Sequence, residues 1–258
     1  MNDVHSLGGA KIVLTREDGV GSDYVEALIA RGAHVVAVPL TRTAPPSDGG
    51  ARLATALGTV KRFAWLVVTS ARGVDAIFER VKDAAIFSSL KVGVVGDATA
   101  HALARHGIEP DVVATKKSAT SLVGAIGERG AESGAILYPR SAQALPALID
   151  GLKENGWKVE DPEAYRTIPI ENPHPLDTLF RADVVVVFAP SAVSALASLR
   201  MAGDRQPPPL VAIGETTGHA VRENGFILAA VAATPDIDGL VGALQEVIAT
   251  FKRDEAAP

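Results

Sequence analysis

VVGDATAHALARHG, residues Val94–Gly107, and VAIGETTGHAVRENG, residues Val211–Gly225, set the architecture of this chain. Each runs from a short apolar segment into a glycine, an acidic residue and a threonine, then through a helix-like stretch to a closing glycine. Gly96 aligns with Gly214, Thr99 with Thr217, His101 with His219 and Gly107 with Gly225. An apolar run that meets a glycine and then a helix pattern is a strand-to-helix junction. A glycine just past the pattern is where a helix stops in the left-handed conformation. Two such units in one chain predict an internal duplication.

The repeat extends outward in order. KIVLTR (Lys11–Arg16) matches GAILYPR (Gly134–Arg140), and each precedes a helix pattern that stops on glycine, Gly32 and Gly156. FAWLVVTSARGVDAIFERV (Phe63–Val81) matches ADVVVVFAPSAVSALASL (Ala182–Leu199), with Ser70 opposite Ser191. SATSLVGAIGE (Ser118–Glu128) matches DIDGLVGALQEV (Asp236–Val247) as a closing amphipathic helix. Valine-rich strands alternating with helices predict α/β architecture, with parallel sheets covered on both faces. Ligands in such folds sit outside the carboxyl ends of the strands. Two proline-bearing extended segments interrupt the halves, PLTRTAPPSDGG (Pro39–Gly50) and EAYRTIPIENPHP (Glu163–Pro175). Arg42-Thr43 aligns with Arg166-Thr167 there, and both segments read as linkers between lobes.

Composition narrows the chemistry. With 47% apolar and 21% charged residues, 258 residues are enough for one large domain or two smaller ones. The absence of cysteine excludes disulfides, thiolate nucleophiles and cysteine-ligated metals. A net charge of −5 without a basic stripe argues against nucleic acid as a partner. No secretory signal and no membrane-spanning run is legible; Val184–Leu199 is uncharged but short and holds Pro190. A soluble cytoplasmic protein is expected. GVGSDY (Gly19–Tyr24) lacks the third glycine of a dinucleotide loop, and no phosphate-loop lysine, HExxH pair or GxSxG elbow occurs. The six histidines are scattered, so no metal site is expected.

What remains is a set of helix starts. TSARG, PRSAQ, APSAV, GDATA and GETTG each offer unpaired backbone N–H groups, partial positive charge and small or hydroxyl side chains. Arg16, Arg72, Arg140 and Arg166 lie in or beside such turns and suit carboxylates. The residues by themselves fit either an enzyme for a multi-anionic substrate or a bilobal anion-binding or sensor module.

VTSARGVDA, VVGDATAHAL, AYRTIP and AIGETTGHAV, in this order, resemble the uroporphyrinogen-III synthase family over nearly the whole chain, Lys11 to about Ala249. The resemblance implies two similar α/β lobes joined by a two-stranded linker. Residues 1–38 and 170–258 would form a discontinuous lobe, 44–162 the second, with linker strands at 39–43 and 163–169. It implies cofactor-free closure of hydroxymethylbilane, a linear tetrapyrrole with eight carboxylates, into uroporphyrinogen III. The last pyrrole ring inverts through a spiro intermediate, and water leaves. It further implies a monomer that meets the upstream hydroxymethylbilane synthase only transiently.

Residue by residue, Tyr165 matches the family's YRT tyrosine and is the expected catalytic group. Tyrosine ordinarily titrates near ~10, so it carries a proton for the leaving hydroxyl at neutral pH. Its counterpart in the first copy is Thr41, so the repeat breaks symmetry there. Thr69, Ser70 and Arg72 of the TSxR turn, with Thr99 and Thr217, match substrate-binding positions, and Ser191, Arg16 and Arg140 complete the expected set. FAPSAV departs from the pattern, with Ala189-Pro190 where relatives keep a polar start.

Overall fold

The computed structural model describes residues 7–16, 22–114, 118–130, 134–171, 173, 176–203 and 206–255. Gly19–Gly21 of the glycine-bearing stretch, and Asn172, His174 and Pro175 of the second linker, lie outside them. The first strands along the chain are β1 (Lys11–Leu14), β2 (His34–Ala37), β3 (Thr41–Ala44), β4 (Phe63–Val68), β5 (Lys91–Val94) and β6 (Val112–Val113). They are followed by β7 (Ala135–Leu137), β8 (Arg140–Ser141), β9 (Val159–Glu160), β10 (Glu163–Pro169), β11 (Val184–Val187), β12 (Leu210–Ala212) and β13 (Leu228–Val231).

The chain divides into two compact units, Met1–Arg42 with Ile168–Pro258, and Thr43–Thr167. The boundaries fall inside β3 and inside β10. In the first unit a parallel sheet runs β13-β12-β11-β1-β2. Strand alternation divides its apolar residues between two cores. Ile12, Leu14, Val184 and Val186 pack with the helix Asp23–Ile29 and the long C-terminal helix Ile237–Glu255. Val13, Val185 and Val187 face the other way, against Leu179, Val193, Leu196 and Val221 of three further helices. All four valines of β11 are buried, which is why this strand reads as a continuous apolar run.

The second unit carries a parallel sheet in the order β6-β5-β4-β7-β9. Leu66, Val68, Val92 and Val94 meet the helices Ala51–Gly58, Ala71–Phe78 and Asp97–Ala104 on one face. Trp65, Val67 and Ile136 meet Ala119–Ile126 and Ala147–Glu154 on the other. A separate three-stranded sheet runs β3-β10-β8, with β10 and β8 parallel.

The two five-stranded orders correspond position by position once the repeat is applied. β11 matches β4, β12 matches β5, and β1 and β2 match β7 and β9. Each folded unit therefore takes two strands from one copy of the repeat and three from the other. The α/β class with helix-flanked parallel sheets stands as expected. Among the described residues no helix is long and apolar enough to cross a membrane.

Candidate functional site

In the second unit the chain runs outward from β4 through β5 to β6, and in the opposite direction from β7 to β9. The strand order reverses between β4 and β7, and parallel sheets open a crevice at the carboxyl ends of such a pair. Thr69 and Ser70 follow β4 and Tyr138 follows β7, so the fold brings these three together. Thr69 Oγ1 lies 3.3 Å from the Tyr138 hydroxyl, bridging the reversal point.

Ser70 is the N-cap of the helix Ala71–Phe78, with extended backbone, and its Oγ accepts from the Gly73 N–H at 3.1 Å. A serine oxygen in this place satisfies one of the helix's orphan donors. Space is tight at Gly73, where a Cβ would come within 3.1 Å of Val68 Cγ1 and 3.2 Å of Ser70 Oγ. The same Ser70 Oγ lies 3.1 Å from the Tyr165 hydroxyl. Either hydroxyl can donate in this pair; when Ser70 donates while its oxygen accepts from Gly73, the phenol proton is left for a ligand.

Tyr165 arrives from β10. Glu163 pairs with Arg140 and Tyr165 with the next residue, Ser141, so Ala164 is an extra residue in the ladder. Ala164 is 2% exposed and joins the core, and this bulge aims the half-buried Tyr165 ring. The Tyr165 carbonyl accepts from Ala142 N–H at 3.0 Å.

A cavity of about 430 Å³ opens beside this pair, lined by Tyr165, the Pro45-Pro46 turn and one face of the helix, with Arg72, Asp75, Glu79 and Arg80. Three of those charges are engaged: Asp75 with Arg105 at 3.7 Å, and Arg80 with Glu79 at 3.6 Å. Arg72 has no hydrogen-bond or ion-pair partner among the described residues. The Arg72 guanidinium, carried in the first turn of the helix, and the Tyr165 phenol thus border one space.

The other expected residues are placed differently. Arg140 is tied to Asp161 at 2.7 Å and to the Ser141 carbonyl at 3.0 Å, so its charge is matched inside the unit. Arg166 Nε donates to the Pro45 carbonyl at 2.9 Å. Thr99 is only 3% exposed and its hydroxyl donates to the Val95 carbonyl at 3.2 Å; the side chain points inward, and what that turn offers outward is backbone N–H. Gly96, which caps this helix, has φ 82° and ψ 156°, a conformation reserved for glycine.

In the first unit, Thr217 is 4% exposed on the helix Glu215–Glu223, and its capping Gly214 is extended at φ −174°. The two glycines aligned by sequence therefore differ in backbone. Ser191 also departs from its Ser70 counterpart: its helix already starts at Pro190, so Ser191 lies inside the first turn and not at the cap. Arg16 follows β1 at this unit's own reversal point, with its guanidinium 4.9 Å from the ring centres of both Tyr24 and Phe188.

Tyr138 was not among the expected residues. It is 2% exposed, and burial raises its phenol above the usual range. The Thr69 hydrogen bond and the Arg140 charge pull the value back, while Tyr165 and Asp161 add to the rise. A signal for it exists in the repeat: in register with Arg16 and Arg140, Tyr138 stands where the first copy has the apolar Leu14.

These features define a two-unit α/β protein with parallel sheets, whose second unit holds a phenol, a capping serine and a free arginine at a strand-order reversal. The family model for uroporphyrinogen-III synthase HemD matches residues 22–242. A chloroplastic uroporphyrinogen-III synthase of Oryza sativa subsp. japonica is 27% identical over 255 residues, 96% of this chain and 83% of that protein. A uroporphyrinogen-III synthase of Synechococcus elongatus is 30% identical over 165 residues, 62% of each chain. The solved uroporphyrinogen-III synthetase of Helicobacter pylori gives a TM-score of 0.63 at 15% identity, covering 92% of this chain and 99% of that one. A mutant uroporphyrinogen III synthase of Thermus thermophilus gives 0.58 at 20%, covering 95% and 98%; both show the shared fold. The chain belongs to the uroporphyrinogen-III synthase family, cyclising lyases of tetrapyrrole biosynthesis. That membership favours catalysis over the binding-module alternative.

Proposed function

We propose that the chain converts hydroxymethylbilane to uroporphyrinogen III and that Tyr165 supplies the proton for the departing hydroxyl. The observation that carries this reading is the 3.1 Å contact between Ser70 Oγ and the Tyr165 hydroxyl at the edge of the Arg72 cavity. Ser70 donates to the phenol oxygen, and the phenol proton goes to the terminal hydroxyl of the bilane. The C–O bond breaks with its electron pair on oxygen, water leaves, and the adjacent pyrrole nitrogen stabilises the resulting cation. Closure at the substituted carbon of the last ring gives the spiro intermediate. After rearrangement, the proton lost from carbon returns to Tyr165, so the enzyme ends as it began.

Arg72 and the N–H groups of Ala71 and Arg72 bind substrate carboxylates in this reading, which the free guanidinium and the eight-residue helix support. Thr69 acts through Tyr138. Thr99 and Thr217 contribute the backbone N–H groups of their turns, and Ser191, Arg16 and Arg140 are secondary contacts. Holding one bilane conformation matters as much as the proton, because the enzyme must favour the transition state of inversion over direct closure. The proposal includes action as a cytoplasmic monomer that takes its unstable substrate from the preceding enzyme by transient contact.

The test is the purified protein with freshly made hydroxymethylbilane, followed by separation of the product isomers. The type III isomer in excess is the expected result. Type I alone, formed at the uncatalysed rate, would end this reading.

A further inference from the structure

A glutamine outside the cavity holds the strand that carries Tyr165. Gln143 stands just after β8, in the turn closed by Ala144 N–H to the Ser141 carbonyl. Its side-chain oxygen accepts from the Thr167 N–H at 3.1 Å, and its side-chain nitrogen donates to the Thr167 carbonyl at 3.1 Å. The Ser141 hydroxyl donates to the same Gln143 oxygen at 2.9 Å, and Gln143 N–H donates to Ser141 Oγ at 3.2 Å.

A primary amide presents one donor and one acceptor side by side, as a backbone residue of a neighbouring strand does. β8 itself ends at Ser141, which pairs with Tyr165, and Ala142 N–H holds the Tyr165 carbonyl. Gln143 then adds the next rung with its side chain, two residues along β10. A residue that served only the turn would need the Ser141 contacts alone; the two bonds to Thr167 reach outside it. Thr167 is also the last residue of this unit, so the amide fixes β10 where no further backbone partner from β8 is available.

We propose that Gln143 is a positioning residue for Tyr165. By locking both backbone groups of Thr167, it fixes the register and pitch of β10 downstream of the bulge, and with them the distance between the phenol and Ser70. The proposal rests on the reading that Tyr165 delivers the proton.

The test compares Gln143→Met, which keeps the volume and loses both bonds, with Gln143→Glu, which keeps the acceptor and loses the donor. Amide hydrogen exchange at Thr167 is expected to accelerate in Gln143→Met and to stay near wild type in Gln143→Glu, whose remaining acceptor still holds that N–H. In Gln143→Met, kcat falls about 3- to 10-fold, the scale of one or two hydrogen bonds, while KM holds. Gln143→Glu falls by less, and the type I share of product rises with the loss of kcat. In a Tyr165→Phe background Gln143→Met costs nothing further. Additive losses, or unchanged exchange at Thr167 in Gln143→Met, overturn the proposal. A Tyr165→Phe variant with full turnover instead removes the catalytic role of Tyr165, and the exchange result then decides the clamp by itself.

Discussion

Replacement of Ser70 separates two jobs that one oxygen performs. Ser70 Oγ caps the helix by accepting from Gly73 at 3.1 Å and holds the Tyr165 hydroxyl at 3.1 Å. Ser70→Ala loses both, and the cap alone is worth about 1 kcal/mol of stability. Loss of the phenol's partner weakens the proton donor by one neutral hydrogen bond, about 0.5–1.5 kcal/mol, which is roughly a 2- to 13-fold drop in kcat. Ser70→Gly distinguishes the two, since glycine caps within a few tenths of a kcal/mol of serine yet cannot touch Tyr165. It should keep the unfolding midpoint near wild type while losing as much kcat as Ser70→Ala. Ser70→Asp is the opposite control: it caps well, but its carboxylate draws the phenol proton toward itself, so stability holds and kcat falls below that of Ser70→Ala. Urea unfolding and single-turnover kinetics on hydroxymethylbilane measure the two axes. If kcat follows the cap, falling in Ser70→Ala but not in Ser70→Gly, the contact with Tyr165 has no catalytic part and the reasoning fails.

Two further outcomes follow from residues already placed. Gly96→Ala should cost about 1–3 kcal/mol because its φ of 82° and ψ of 156° suit glycine alone. Gly214→Ala should be nearly neutral, since that backbone is extended and a Cβ meets nothing within 4 Å; equal losses at both sites, read by urea midpoints, would contradict the backbone difference. Tyr138 gives a pH signature. Its phenol is held above the ordinary value, so the folded protein keeps a proton that the unfolded chain sheds as pH rises past about 10. The stability it contributes is full below the unfolded value and is lost as pH climbs toward the folded one. Tyr138→Phe should flatten the alkaline fall in unfolding free energy, and an unchanged slope would show that Tyr138 does not cause it.

The sheets were legible because their strands obey simple rules. VVVV at Val184–Val187 and FAWLVV at Phe63–Val68 are apolar on both faces, and strands of that composition need helices on both sides. Helix stops at Gly32, Gly107, Gly156 and Gly225 read correctly because each takes positive φ, which glycine alone adopts without cost. The site was legible in part. Ser70, Arg72 and Tyr165 converge, but the sequence treats Ser70 and Ser191 as equivalents, and one proline separates them. Pro190 fits the first helical position, where its missing N–H costs nothing, and so starts that helix ahead of the serine. The resemblance expects Thr99 to meet substrate. Its third-residue place in the helix turns it inward instead, onto the Val95 carbonyl. Salt bridges such as Arg140–Asp161 join residues 21 apart, and no local pattern announces them.

The repeat shows how the Ser70–Tyr165 pair is assembled. Both units use the same strand order and the same reversal point, so duplication alone would give two equal crevices. They differ at the few positions that border those crevices. Where one copy of the repeat has Leu14 and Thr41, the other has Tyr138 and Tyr165, and both tyrosines fall in the Thr43–Thr167 unit beside Thr69 and Ser70. The hydroxyls that receive them come from the opposite copy, because each unit is assembled from strands of both. A tyrosine of one copy thus meets a serine of the other, and neither half of the sequence contains the Ser70–Tyr165 pair by itself. In the other unit Thr15 turns onto the Val186 carbonyl at 2.9 Å, and Arg16 is held against the rings of Tyr24 and Phe188 at the reversal point. Duplication supplied two scaffolds of the same strand order, and the tyrosine at 165, where the other copy has Thr41, gives one of them its candidate proton donor.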